Sequence, residues 1–116
     1  MSSVLILGID PRAVPGLDAD AILAALDGEL ARFAERGVEA SLTLVPLDES
    51  AGATLEAALA ERVWDVVVIG GGIRKPEPLL TFFEQVVNAV RIHAPQAALA
   101  FNTGGGDTVE AAERWL

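Results

Sequence analysis

The chain has 116 residues, no cysteine and a formal charge of −9. More than half of its residues are apolar, which excludes a disordered chain with its low hydrophobicity and high charge. The acidity argues against nucleic acid or an anionic membrane as partner, since both need a surplus of Lys and Arg on one face. Without thiols there are no disulfides, thiolate metal sites or cysteine nucleophiles, and the length suits a single domain, residues 1–116, around one sheet.

A short apolar run, a turn-rich loop and an amphipathic helix follow one another four times along the chain. The first run, residues 4–8, leads into a loop over 9–16 that contains Asp10, Pro11, Pro15 and Gly16. The spacing predicts a helix from an N-cap at Asp18 to a stop before Gly37, which suits the left-handed position after a helix. The second run, 40–47, alternates Ser41 and Thr43 with Leu42 and Leu44, the pattern of a strand with one wetter face, and is placed at a sheet edge. A short helix is expected over 54–62.

The third run, Val66-Val67-Val68-Ile69, is β-branched throughout and ends on Gly70-Gly71-Gly72. Such a run without polar alternation suits a central parallel strand covered on both faces. Pro76 and Pro78 are then expected to open the longest helix, running to His93, with Pro95 as its stop. The fourth run is 97–101. After it, Asp107-Thr108-Val109-Glu110 reads as a helix start with Glu110 in a capping-box arrangement, and that helix ends the chain at Trp115-Leu116.

Alternating strands and helices of these lengths imply parallel strands with right-handed crossovers. The two most apolar strands, the first and third, belong in the middle, which gives the order 2-1-3-4. The expected architecture is a three-layer flavodoxin-like or Rossmann-like sandwich, with helices on both faces and one strand fewer than the usual five.

In open parallel sheets ligands bind beyond the carboxyl ends of the strands, where the strand order reverses. Here that crevice lies between the first and third strands. Its rim carries Gly8 to Arg12, Gly70 to Lys75 and, after the fourth strand, Asn102 to Asp107. Glycine runs at strand ends allow positive φ and close backbone approach to a ligand, and the helix starts beyond them present free N–H groups. Lys75 is the single lysine of the chain. One reading is a small anionic ligand, phosphate or carboxylate, with Arg74 and Lys75 holding its charge, Asn102 and Thr103 hydrogen-bonding it, and Arg12, Gly71 and Gly72 completing the rim. The other is that these glycines make tight strand-to-helix turns. Asp10 is the best-placed carboxylate for a general base, but an Asp before proline is equally a turn residue.

Several chemistries fail on spacing. The run Val66 to Gly72 superficially resembles a flavoprotein dinucleotide fingerprint, but Lys75 stands where a small residue must let helix and strand pack, and no G-K-[ST] follows for a phosphate-binding P-loop. The order of elements resembles that of phosphorelay receiver domains. Those carry an aspartate ending the third strand, where this chain has Gly70, and an acidic pair after the first, where Asp10 stands without an acidic neighbour. His93, the one histidine, falls at the far end of its helix, on the opposite rim, so a Ser-His-Asp triad has no base and zinc has no ligand set. No metal site is expected, and no cofactor is specified.

Leu79, Leu80, Phe82, Phe83, Val86, Val87 and Val90 span an arc of roughly 160° at about 100° per residue, more than a helix on a sheet requires. With an apolar fourth strand lacking Pro or charge at its edge, this suggests a homodimer through that side, with Trp115 and Leu116 as possible cover for the edge. A non-catalytic interaction or assembly module is therefore the alternative to a ligand-binding protein. Met1-Ser2-Ser3 followed by so short an apolar run matches neither a secretory signal nor a membrane span, and the expected location is cytoplasmic.

Overall fold

A computed structural model describes residues 2–116. Four strands, β1 (Ser3–Ile9), β2 (Glu39–Val45), β3 (Val66–Ile69) and β4 (Ala98–Phe101), form one all-parallel sheet in the order β2-β1-β3-β4. The registers Leu5↔Ser41, Leu5↔Val67 and Val67↔Leu99 bring the four strands into line. The most apolar strands, β1 and β3, are the central pair and have almost no exposed surface. Both their faces are covered, which explains why Val66-Val67-Val68-Ile69 shows no polar alternation.

Alternation along each strand divides the core in two. Val4, Ile6, Val66, Val68 and Ala100 point to one face, where Phe33 of α1 (Ala19–Glu35) and Val109, Ala111 and Ala112 of α5 (Thr108–Glu113) cover them. Leu5, Leu7, Val67 and Ile69 point to the other, against Leu55 and Leu59 of α2 (Ala51–Ala60), Ile73 of the single-turn α3 (Gly71–Arg74), and Val86 and Val90 of α4 (Leu80–His93). The three-layer arrangement and the strand order expected from the pattern are both present.

Helix limits follow local chemistry. Asp18 caps α1 by accepting the Ala21 N–H at 3.1 Å, and Gly37 takes φ +70° just after its end. The second helix begins at Ala51 rather than at 54, because Asp48 accepts the Ser50 N–H at 2.8 Å and turns the chain early, burying Ala51. The segment after β3 differs more. A single-turn α3 ending at Arg74, which the pattern did not suggest, comes first; Pro76 and Pro78 then open the helix that runs to His93, but its first turn, Glu77–Leu79, is 3-10 and α4 proper starts at Leu80. Pro76, with an extended ψ of 121°, separates α3 from that turn. At 17 residues α1, not the 14-residue α4, is the longest helix.

The chain end also lies elsewhere than expected. Trp115 and Leu116 are exposed and border a shallow cavity of about 480 Å³ with Ser2 and Asp65, at the amino ends of the strands. They leave the β4 edge uncovered; Arg114 Nη2 instead donates to the Phe101 carbonyl at 3.0 Å there. Among the described residues no helix is long and apolar enough to cross a membrane.

Trp64, fully buried ahead of β3, anchors the α2/α4 layer through its indole N–H, which donates to the Ala58 carbonyl at 3.0 Å. Trp64→Phe keeps the apolar contact but deletes the donor, so urea unfolding should show a loss of about 1–3 kcal/mol. An unchanged midpoint would show that the carbonyl finds another partner.

Candidate functional site

Where β1 and β3 end, the chain departs to opposite sides of the sheet, leaving a crevice at the carboxyl rim. Its volume is about 670 Å³. One wall is the first half of α1, with Leu17, Ala21, Ile22, Ala25 and Leu26. The floor is backbone: Gly8 after β1, Gly70, Gly71 and Gly72 after β3, and Gly104 and Gly105 after β4, with Ile9, Pro11 and Asn102 between them. Asp18 and Lys75 are the charged residues of the lining.

The glycines serve proximity, not unusual dihedrals. Positive φ occurs at Gly16 and Gly37 among the described residues, and at none of the rim glycines. A Cβ on Gly72 would stand 2.9 Å from Ile9 Cγ2, and one on Gly70 3.3 Å from the Leu7 carbonyl. The bare backbone lets β3 turn into α3 directly against β1. Gly71 instead accommodates the stem of Lys75, whose Cε would be 3.2 Å from an added Cβ. The positive-φ role expected of these runs is therefore absent, and the close approach seen is of the chain to itself, as in the reading of these glycines as tight strand-to-helix turns.

Of the residues expected to form a site, Gly71, Gly72, Lys75 and Asn102 line the crevice; Asp10, Arg12, Arg74 and Thr103 do not. Asp10 accepts both the Arg12 N–H at 3.0 Å and Arg12 Nε at 3.1 Å, closing the 3-10 turn Pro11–Ala13. The Arg12 side chain and then its amide hold the Asp10 carboxyl below the usual aspartate range. A general base needs a pKa near the working pH, so the geometry favours the turn role.

Arg74 leaves the crevice for the other side of the sheet. Its Nε donates to the Ile69 carbonyl at 2.8 Å, and Nη2 donates to both the backbone oxygen and Oδ1 of Asn102, the latter at 2.9 Å. Its guanidinium lies 5.2 Å from the Phe101 ring centre, which in turn meets Phe83 of α4 edge to face. Burial lowers the Arg74 pKa, partly offset by Asp107. Asn102, nearly buried, completes the tie by donating Nδ2 to Thr108 Oγ at 3.1 Å. These two residues clamp the ends of β3 and β4 together.

The last helix is capped by a residue that sequence reasoning missed. Instead of Asp107, the buried Glu29 of α1 accepts the Thr108 and Val109 N–H groups at 2.8 and 3.2 Å. Its other oxygen takes Arg32 at 2.7 Å, and Arg32 also binds Glu110 and the Gly106 carbonyl. Glu110 is thus drawn to Arg32 and not into a capping box. Asp107 turns back to accept the amides of Thr103 and Gly104 at 2.9 and 3.0 Å and the Thr103 hydroxyl at 2.8 Å. Partial burial raises its pKa, but these donors outweigh it and leave the carboxyl below the ordinary value. The signal was present: Glu29 falls on the stripe Ile22, Leu26, Leu30 and Phe33, where a solvated face would not be.

Among the described residues no three His, Asp or Glu side chains gather as a metal site, and His93 is exposed at the end of α4. Compared with known proteins, the chain matches no family model and no curated protein.

Glu29→Ala strands the two buried amides of Thr108 and Val109, while Arg32 keeps Glu110 and the Gly106 carbonyl, and a loss of about 1–3 kcal/mol is expected in chemical denaturation. Glu29→Gln keeps an acceptor and should recover part of it. Equal losses in both variants would show that charge, not hydrogen bonding, holds the latch.

Proposed function

We propose that the protein binds a small anionic ligand in the crevice beyond the carboxyl ends of β1, β3 and β4. The observation that carries this reading is the crevice itself, apolar on its α1 wall, floored by glycine backbone and placed where the strand order reverses. Its volume lies within the range of about 300–1,000 Å³ usual for ligand sites. Lys75 supplies the positive charge at the rim, and Gly71 and Gly72, first residues of α3, have amides without intrahelical acceptors. Arg74 and Thr103 support the rim from behind, a role different from the direct contacts expected of them, while Asn102 lines the crevice with its side-chain amide engaged by Arg74 and Thr108. With the Asp10 carboxylate tied to Arg12, the reading is of binding, and no reaction is assigned.

A melt of the purified protein against phosphates, nucleotides, flavins and small carboxylates tests it. A ligand at 100 times its Kd adds about 2.7 kcal/mol of stability. Ala25 lines the groove opposite Gly105, so Ala25→Trp should fill it and remove the shift. A shift that survives Ala25→Trp would place binding elsewhere.

A second reading, a homodimeric assembly module, draws on the α4 and β4 side. Leu80 is 63% and Phe101 42% exposed there, and β4 has no strand neighbour on its outer edge. Under this reading sedimentation at rising concentration shows a dimer, and Phe101→Ser shifts it towards monomer. A monomer at all concentrations removes the second reading and leaves the first untouched.

A further inference from the structure

We infer that the ligand of the crevice is a monocarboxylate on an apolar body, with its carboxylate at Lys75 and its body against α1. The inference rests on the reading of the crevice as a ligand site and adds the class of ligand. Charge complementarity carries it. Every other cation near the rim is already committed: Arg12 to Asp10, Arg74 to the Ile69 and Asn102 oxygens, and Arg32 to Glu29 and Glu110. The amides that begin α5 are likewise taken by Glu29. Lys75 differs in place: it is the cation of the crevice lining, and its ammonium makes a single hydrogen bond, to the Thr103 carbonyl. Its side chain is exposed, so exchanging that carbonyl for a ligand oxygen demands little reorganisation.

One cation in the crevice lining matches one negative charge. A diphosphate or nucleotide would bring further charges towards Asp18, which lines the same crevice, and Asp107, which holds the β4 loop, in a chain whose net charge is −9. Each charge brought out of water without a partner weakens binding. The rest of the lining speaks for the body of the ligand: Ile9, Leu17, Ile22 and Leu26 offer apolar surface but no side-chain donor or acceptor. The polar lining side chain that could have read further groups, Asn102, spends its amide on Arg74 and Thr108. A ligand rich in hydroxyl or phosphate oxygens would lose its water there and find few replacements.

Isothermal titration with decanoate, 4-phenylbutyrate and indole-3-acetate, against 4-phenylbutanol, AMP and ATP, tests the assignment. At least one carboxylate should bind, and Lys75→Met should weaken it roughly tenfold or more, the worth of a hydrogen bond to a charged group. Lys75→Arg should restore most of the affinity, and Ala25→Trp should abolish it. Lys75 is exposed, so circular dichroism of the Met variant should match the parent. Binding of the alcohol as tight as that of the acid, or a carboxylate indifferent to Lys75→Met, overturns the assignment while leaving the crevice a ligand site. AMP or ATP binding that Ala25→Trp blocks, with no carboxylate bound, does the same. If no compound in the panel binds, or if binding ignores Ala25→Trp, the crevice reading falls together with the assignment.

Discussion

The carboxylate of Glu29 is the point on which the carboxyl rim depends. It is buried, and a buried charge is tolerated only when its lone pairs are satisfied. The Thr108 and Val109 amides, from α5, and the Arg32 guanidinium, one turn along α1, satisfy it. The amides belong to the start of α5, where helix geometry leaves donors without partners. One side chain of α1 therefore solves two problems at once, its own desolvation and the unpaired end of another helix. Arg32 extends the tie to the Gly106 carbonyl and Glu110, so the loop after β4 is held at both its polar ends.

This latch changes the meaning of the glycine-rich loop that follows β4. A loop of glycines leading to a helix start suggests a cradle for an external anion. Here the anion at that helix is internal, and Asp107 occupies the amides of Thr103 and Gly104 as well. On the β3 side, Arg74 serves as a bracket between strand ends, with its charge spread over carbonyl oxygens and the face of Phe101. The rim thus carries more charged residues than it offers to a ligand. What remains is apolar surface, glycine backbone and the ammonium of Lys75.

Much of the fold was legible because its signals are local. The run Val66 to Ile69 carries no polar residue since both its faces are covered, and the ends of α1 are marked locally, by the Asp18 carboxylate that accepts the Ala21 N–H and by Gly37, which takes positive φ for want of a side chain. The break between α3 and α4 was less visible: two prolines are compatible with a helix start, and only their combination with the Gly70–Gly72 turn separates the two helices. The position of the crevice followed from strand order, but its apolar wall did not, because nothing in the sequence shows which side of α1 faces the loops after β3 and β4. The partners of Arg74 and Glu29 were out of reach for another reason. Glu29 meets Thr108 across 79 residues, and composition shows that a charge exists without showing which group neutralises it.

The two halves of α1 perform connected tasks. The N-terminal half, from Leu17 to Leu26, forms the wall of the crevice, and the next turn carries Glu29 and Arg32. Ala25 stands only 3.8 Å from where a Cβ on Gly105 would lie, so the gap between wall and loop is set by how closely α1 approaches the β4 loop. That approach is fixed one turn later by a buried, fully bonded carboxylate, and buried bonded networks specify geometry more strictly than apolar contact does. The crevice is consequently held open at a defined width by interactions that lie outside it. Preorganisation of this kind lowers the conformational cost of occupying a groove, here one that is mostly apolar with one cation, Lys75, and one carboxylate, Asp18, in its lining.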